Sequence, residues 1–409
     1  MNATKEEKTL LYLTARSIAK EPFAFVAEKP NIDGINWETI AKESLAQTVG
    51  AAAFDAASIF RDEIPQEIYA KWKAFALRNI ATTQHNLHAH AQLNEIANGR
   101  AFVTLKGFAS SSYYPAPHLR AQGDVDFLVK KEDIAEFEKQ LIKAGFEKST
   151  QEYESHLVFK NGDTHYEMHF QVAGLPLGTL GEKARAYLSD AVDTAKIIER
   201  DGVQIPVPAP EKHGAILLLH SSHHLLGEGL GLRHLCDWAV FVTATKEETF
   251  WTESLLPFFK EMGLFVFAKT LTKTASKYLY TACPTWAEDA DESLCDALIR
   301  DILQSGNFGR KDGARARSGM ILSNHGKEGT KRGFFYNAFQ KIHVVTMRVT
   351  AVQKCKLLYP FVWGGKTAQY LLRSLTNKRP KVNELWKNAK DRKTVYDRLH
   401  IFETNHEEK

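Results

Sequence analysis

The chain has 409 residues, of which 44% are apolar and 25% charged, with a formal net charge of +4. That composition excludes a disordered chain and fills a large core and more than one domain. No apolar run approaches the ~18 residues of a spanning helix, and Cys236, Cys283, Cys295 and Cys355 lie far apart with no CxxC pair, which argues against a zinc site and suits a reducing cytoplasm.

In chain order, the N-terminal stretch MNATKEEKTLLYLTARSIAKEPF has acidic residues early and no small-residue cleavage site after its short apolar run, so no signal peptide is expected. Residues 1–98 carry apolar positions at helical spacing, with Pro and Asp at the joints. From Ala101 the texture changes. AFVTLKGF is a short β-rich run ending at Gly107, and GDVDFLV is a second strand. KEDIAEFEKQLIKAGF predicts a helix capped by Asp133, striped by Ile134, Phe137, Leu141 and Ala144, and ended by Gly145. YESHLVFKNGDTHYEMHFQV predicts a hairpin around Asn161-Gly162. From about Pro206 the chain is mostly helical again, without an internal repeat. The expected regions are an N-terminal helical region over 1–98, an α/β core over 99–205, a helical domain over 206–326 and a basic helical region over 327–409.

Two carboxylates interrupt the second strand. Side chains alternate along a strand, so Asp124 and Asp126 share one face, while Val125, Phe127 and Val129 face the other, where a helix can pack. Two carboxylates on one face repel unless a cation lies between them. Magnesium, a hard ion that takes oxygen ligands and substrate phosphates, is the natural guest. The last strand offers a third carboxylate, Glu167, between Tyr166 and Met168, with His165 and His169 on its own face. A glutamate in such an alternation is costly unless paired or metal-bound. Three carboxylates on neighbouring strands are the layout of a two-metal phosphoryl-transfer site.

The order Leu105-Lys106-Gly107, then Asp124-Val125-Asp126, then Glu167 resembles the nucleotidyltransferase superfamily of DNA polymerase beta type. The wider context TLKG…YYPAPHLRAQGDVDFLV…HYEMHF is closer still to one bacterial branch, the uncharacterised nucleotidyltransferase family, with its LKG-type turn, its Arg before a DxDxLV strand and its later E-x-H strand. The match is tight from Ala101 to Phe170 and looser over the helical flanks, GLRHLCDWAVF included. The resemblance implies an α+β fold, a polymerase-beta-like α/β core flanked by N-terminal and larger C-terminal helical regions. It implies a Mg²⁺- or Mn²⁺-dependent transferase with Asp124, Asp126 and Glu167 as catalytic metal ligands and a nucleoside triphosphate as substrate. Lys106, Gly107, Ser110, Arg120, His169 and Arg233 are its implied nucleotide contacts. The chain departs from the broad superfamily in having Lys106-Gly107 where a Gly-Ser or Gly-Gly pair is usual, and a longer gap from that turn to Asp124. Ser110, Ser111 or Ser112, in the first turn of the next helix, could supply the missing hydroxyl.

Several residues have plainer roles open to them. Lys106 binds phosphate or neutralises a carboxylate. Arg120 clamps phosphate or salt-bridges the acidic cluster, and the structural bridge is the expected one. His213, His220 and His224 share one helix face, a spacing that resembles a metal pair, but without HExxH or a helpful cysteine they are expected to be core or interface groups facing the α/β unit. Arg233 and Asp237, at i and i+4, could bridge on their helix. WGGKTAQ echoes a phosphate loop but has Pro360 where a glycine is needed, and reads as a turn. Residues 327–393 carry 16 Lys/Arg against Glu328, Glu384 and Asp391, interleaved with aromatics. A polyanion such as RNA, an anionic membrane surface, an acidic partner or plain solvation could each use that stretch. The expected protein is thus a cytoplasmic nucleotidyltransferase, open to peripheral membrane contact, with an acceptor (small molecule, protein or RNA) that the sequence does not name. A non-catalytic nucleotide- or partner-binding module of the same fold is the alternative, against which the intact carboxylate trio argues.

Overall fold

A computed structural model describes residues 3–19, 27–151, 153, 155–176, 178–311, 343, 346, 355–375, 392 and 394–404. Its sheet forms where the alternation demands one. Strands β1 (Phe102–Thr104), β2 (Val125–Val129), β3 (Glu147–Lys148), β4 (His156–Asn161) and β5 (Thr164–His169) order as β1-β2-β5-β4-β3. Only β2 and β5 pair in parallel, with Asp126 opposite Glu167 and Leu128 opposite His169. The hairpin between β4 and β5 closes from Asn161 to Thr164, and Gly162, at φ 55, takes the left-handed conformation the tight turn needs.

The strand faces divide as the side chains require. Phe102, Val125, Phe127, Val129, Tyr166 and Met168 form one core with Phe137 and Leu141 of helix α6 (Ile134–Lys143). Ala89, Leu93 and Ile96 of α4 (Gln66–Ala97) complete it, and the Tyr166 hydroxyl donates to the Ala89 carbonyl at 2.6 Å. Helix α6 ends as expected, with Gly145 at φ 88, but the Asp133 side chain makes no capping bond. A second hairpin, not among the expected elements, joins β6 (Lys196–Arg200) to β7 (Val203–Val207) around Asp201-Gly202.

Opposite, Val103, Leu105 and Leu128 join a larger helical core. Its helices include α1 (Lys5–Ile18), α2 (Trp37–Ala46), α3 (Gly50–Ala56), α7 (Gly178–Tyr187), α8 (Pro210–Leu226) and α9 (Leu232–Ala244). They continue, after the four-residue α5 (Phe108–Ser111) of the β1–β2 connection and the three-residue α10 (Glu248–Phe250), with α11 (Leu256–Glu261), α12 (Phe265–Leu279) and α13 (Glu292–Ser305). Helices from both flanks of the sheet therefore share one core, which Leu399 and Ile401 complete from the far end of the chain. Gln47 stitches the flanks together, donating to the Ile302 carbonyl at 3.0 Å and accepting from the Leu232 N–H at 2.9 Å.

Three expectations need correction. Asp237 does not bridge to Arg233. It accepts from Arg120 Nε and Nη2, both at 2.7 Å, and from the Tyr114 hydroxyl at 2.7 Å. Nor does Arg120 reach the acidic cluster on the sheet: a fork-shaped guanidinium buried beside one carboxylate takes both its oxygens. WGGKTAQ is not a turn but part of a helix over Tyr359–Leu375. Pro360 lies in its first turn, where a missing N–H costs nothing, and the two glycines weaken a helix without breaking it. Most of the basic stretch over 327–393 lies outside the described residues. Its Arg392 is buried, 3.2 Å from Asp301 and 2.9 Å from the Leu225 carbonyl, so that charge serves the core. Among the described residues no helix is long and apolar enough to cross a membrane.

Asp237 joins the connection between β1 and β2 to α9, with both charges about 5% exposed. Breaking such a pair leaves an uncompensated buried charge. Asp237→Ala is expected to cost about 3–5 kcal/mol in urea melts, and replacing Arg120 by Met and Asp237 by Leu together to cost much less. Burial opposes ionisation of Asp237, but the Arg120 charge prevails and holds its pKa below the ordinary 3.8. Its stabilising effect is therefore present above that pH and lost as pH falls through the depressed value.

Candidate active site

The carboxylates converge because β2 and β5 run parallel in this register. Asp126 and Glu167 sit side by side, with Asp124 one pleat earlier at the strand start. Their charges are felt: burial first, then the Glu167 charge, raises the Asp124 pKa above its usual value. Asp126 is compensated instead. Its Oδ1 lies 3.1 Å from Lys106 Nζ and 3.0 Å from His169 Nε2. Burial pushes its pKa up, yet the Lys106 ammonium and the His169 hydrogen bond outweigh it and hold the carboxyl well below the usual range.

Imidazoles line the same face. His169 Nε2 also lies 3.6 Å from Glu167, His165 Nδ1 lies 3.4 Å from Asp124, and His156 Nε2 lies 3.9 Å from Glu167. Burial lowers the His169 pKa, but hydrogen bonds to Asp126 and Glu167 prevail, and the net shift is upward from 6.5. His156 shifts the other way, through burial and the His169 charge. Sequence reasoning missed His156. Its signal was the hairpin register: a two-residue loop after Asn161 sets His156 opposite His169.

The implied nucleotide contacts separate into two groups. Lys106 and Gly107 stand at the site, where the Leu105 N–H donates to the Asp126 carbonyl at 3.0 Å and Gly107 turns the chain at φ 58. A Cβ on Gly107 would meet Gln122 Oε1 at 3.0 Å. Ser110 is withdrawn: it is buried, and its hydroxyl faces His213 Nε2 at 3.4 Å. Arg120 is consumed by Asp237. Arg233, in the first turn of α9, is half-buried with its Nε unpartnered, and burial and the Arg120 charge lower its pKa to about 10. Further along the carboxylate face, beyond Leu128, a cleft of about 350 Å³ is lined by Lys130, Lys131, Gln171, Arg185 and Val192.

Three carboxylates are the ligand chemistry a hard divalent cation takes, while the ligand atoms of this face that lie within 4.8 Å of one another belong to His156, Glu167 and His169. Three carboxylates against one ammonium leave the site net negative, and His156 Nε2 and His169 Nδ1 are buried there without hydrogen-bond partners. A magnesium or manganese ion among the carboxylate oxygens would relieve both the charge and the repulsion.

A family model described as an uncharacterised nucleotidyltransferase matches residues 33–279, a span that holds the sheet, its carboxylates and helices α8 and α9. No curated protein matches, and no solved structure matches.

His169 gives a pH signature to the metal-free protein. A folded-state pKa above 6.5 means its stabilisation is full below that pH and lost as pH rises through the raised value. Urea melts in chelator are expected to show wild-type stability falling over that interval, by about 1.4 kcal/mol for each tenfold difference in proton affinity between the folded and the unfolded chain. The fall should be absent in His169→Gln. Equal slopes in the two proteins would remove His169 from the carboxylate network.

Proposed function

The chain belongs to the uncharacterised nucleotidyltransferase family, and we propose that it moves a nucleoside monophosphate from a nucleoside triphosphate to an acceptor nucleophile by metal-assisted phosphoryl transfer. The observation that carries the reading is the convergence of Asp124, Asp126 and Glu167 on one face of two adjacent parallel strands. Asp124 and Asp126 would hold a magnesium or manganese ion, which would supply positive charge to the phosphoryl oxygens. Glu167 adds a ligand and takes the acceptor's proton as the acceptor bonds to the α-phosphorus, and the bond to the pyrophosphate oxygen breaks.

Lys106 changes partner in this scheme. Its ammonium, now on Asp126 at 3.1 Å, would turn to a phosphate oxygen of the bound triphosphate. With Ser110 buried, the Gly107 turn offers backbone rather than a hydroxyl to the phosphates. His169 orients Asp126 and Glu167. The cleft beyond Leu128 supplies room for the acceptor, with exposed Lys131 and Arg185 on its rim and Lys130 paired to Asp193. Catalysis then rests on positioning and fixed charge.

Asp126→Asn tests the reading. The neutral amide is a poor ligand for a hard divalent cation, so release of pyrophosphate from a nucleoside triphosphate pool with cell extract as acceptor source should vanish. Thermal stabilisation by Mg²⁺ or Mn²⁺ with triphosphate should shrink as well, by linkage. Metal-dependent stabilisation of wild type without any turnover would instead favour a nucleotide-binding module.

A further inference from the structure

Among the described residues, two groups of side chains can converge on one ion. One is His156, Glu167 and His169 on the carboxylate face, and the other is His220, His224 and His234, and in each the candidate ligand atoms all lie within 4.8 Å of one another. His220 and His224 are one turn apart on α8, so they share a face, and their Nε2 atoms are 3.1 Å apart. His234 comes from the first turn of α9, its ring centroid 5.5 Å from that of His220 and 4.9 Å from that of His224. His213, on the same helix face, stands apart among Tyr113, Phe241 and Ser110.

We infer that His220, His224 and His234 form a binding site for a divalent transition metal of the zinc class, with one coordination position open. Three features support this. Imidazole nitrogens suit zinc, and three protein nitrogens with a fourth place for water or substrate form a recurrent open zinc site. The trio contains no carboxylate, so magnesium or calcium has no reason to settle there. Two buried nitrogens, His220 Nδ1 and His234 Nε2, have no hydrogen-bond partner, and Phe308 packs against the His224 and His234 rings at 4.6 and 5.7 Å.

Proton positions follow. Two neutral imidazoles with Nε2 atoms in contact share one Nε2 proton, and ligation by both sends it to Nδ1 of the same ring, with no net loss. His234 now accepts the Gly231 N–H on Nδ1 at 3.3 Å. Ligation through its Nε2 moves that proton to Nδ1 and gives up this long bond. Three neutral imidazoles leave a dication uncompensated, and Arg233, Arg120 and Lys106 act on the His234 ring as positive neighbours, opposed by Asp237. The fourth ligand is therefore an anion, a hydroxide or a phosphate oxygen, for which the cationic surroundings are suited. The inference stands whether or not the chain transfers nucleotides.

Cobalt, a spectroscopic substitute for zinc, tests it. The full chain, stripped with chelator and exchanged into metal-free buffer, is titrated with Co²⁺ and followed by visible absorption. Wild type and Asp126→Asn are both expected to bind one equivalent with the intense ligand-field bands of a four-coordinate site. His220→Gln and His224→Gln should lose affinity by more than the roughly 10–100-fold typical of removing a supporting group. Should the glutamine variants fail to fold, His224→Cys keeps a donor in place and should retain cobalt with an added thiolate charge-transfer band. The inference is overturned if wild type takes up no cobalt. It is equally overturned if Asp126→Asn abolishes uptake while the histidine variants bind normally, or if His224→Cys folds but binds none.

Discussion

Like charges on neighbouring strands are the constraint around which this molecule is arranged. Parallel pairing of β2 with β5 sets Asp126 beside Glu167, with Asp124 close by, and that proximity costs free energy in a protein interior unless cations answer it. Lys106 and His169 answer part of it at Asp126, and Asp124 is left with a raised pKa. A fold selected for stability alone has no use for the arrangement. A cation bound there, as proposed, would relieve that repulsion.

The rest of the fold keeps that face in place. On its apolar side the sheet lies against α4 and α6, which fixes the register. On its polar side it faces a helical body built from both ends of the chain. The Arg120–Asp237–Tyr114 cluster ties the connection leading into β2 to α9. A buried bidentate ion pair adds little net stability over apolar residues, but it penalises any other docking of the two elements. Geometry at Asp124 and Asp126 thus depends on a contact made by residues far along the chain. Helices α8 and α9 bring their histidines near Lys106, whose charge adds to burial in lowering the His220 and His224 pKa values.

Much of the α/β unit was legible because its signals are local. Alternation exposed β2 and the shared face of its aspartates, Asn161-Gly162 marked the hairpin, and Gly145 marked the end of α6. Family membership over 33–279 agrees with the resemblance read from the LKG, DxDxLV and E-x-H segments. What was not legible is mostly tertiary. Nothing near Arg120 announces a partner 117 residues away. The histidines His213 and His220 share a face by spacing but stand seven residues apart, roughly 10 Å along the axis, so His220 meets His234 of α9 while His213 meets Phe241 of the same helix. His156 and the β6–β7 hairpin were recoverable in principle, from hairpin register and from Asp201-Gly202. The turn read at WGGKTAQ failed because paired glycines usually mark turns, while this pair sits inside a helix that Pro360 can open.

The central claim is that the carboxylates are tolerated for the sake of a cation, and Glu167→Gln tests it most directly. Urea melts of wild type and variant are compared in chelator and in Mn²⁺. The account predicts a metal-free variant at least as stable as wild type, because one repelling charge is gone, and a gain in Mn²⁺ that is large for wild type and much smaller for the variant. A glutamate held for structure would give the opposite. In that case the variant would be less stable in chelator by about 1–3 kcal/mol, the cost of disrupting a buried hydrogen-bonded group, and both proteins would respond equally to the metal.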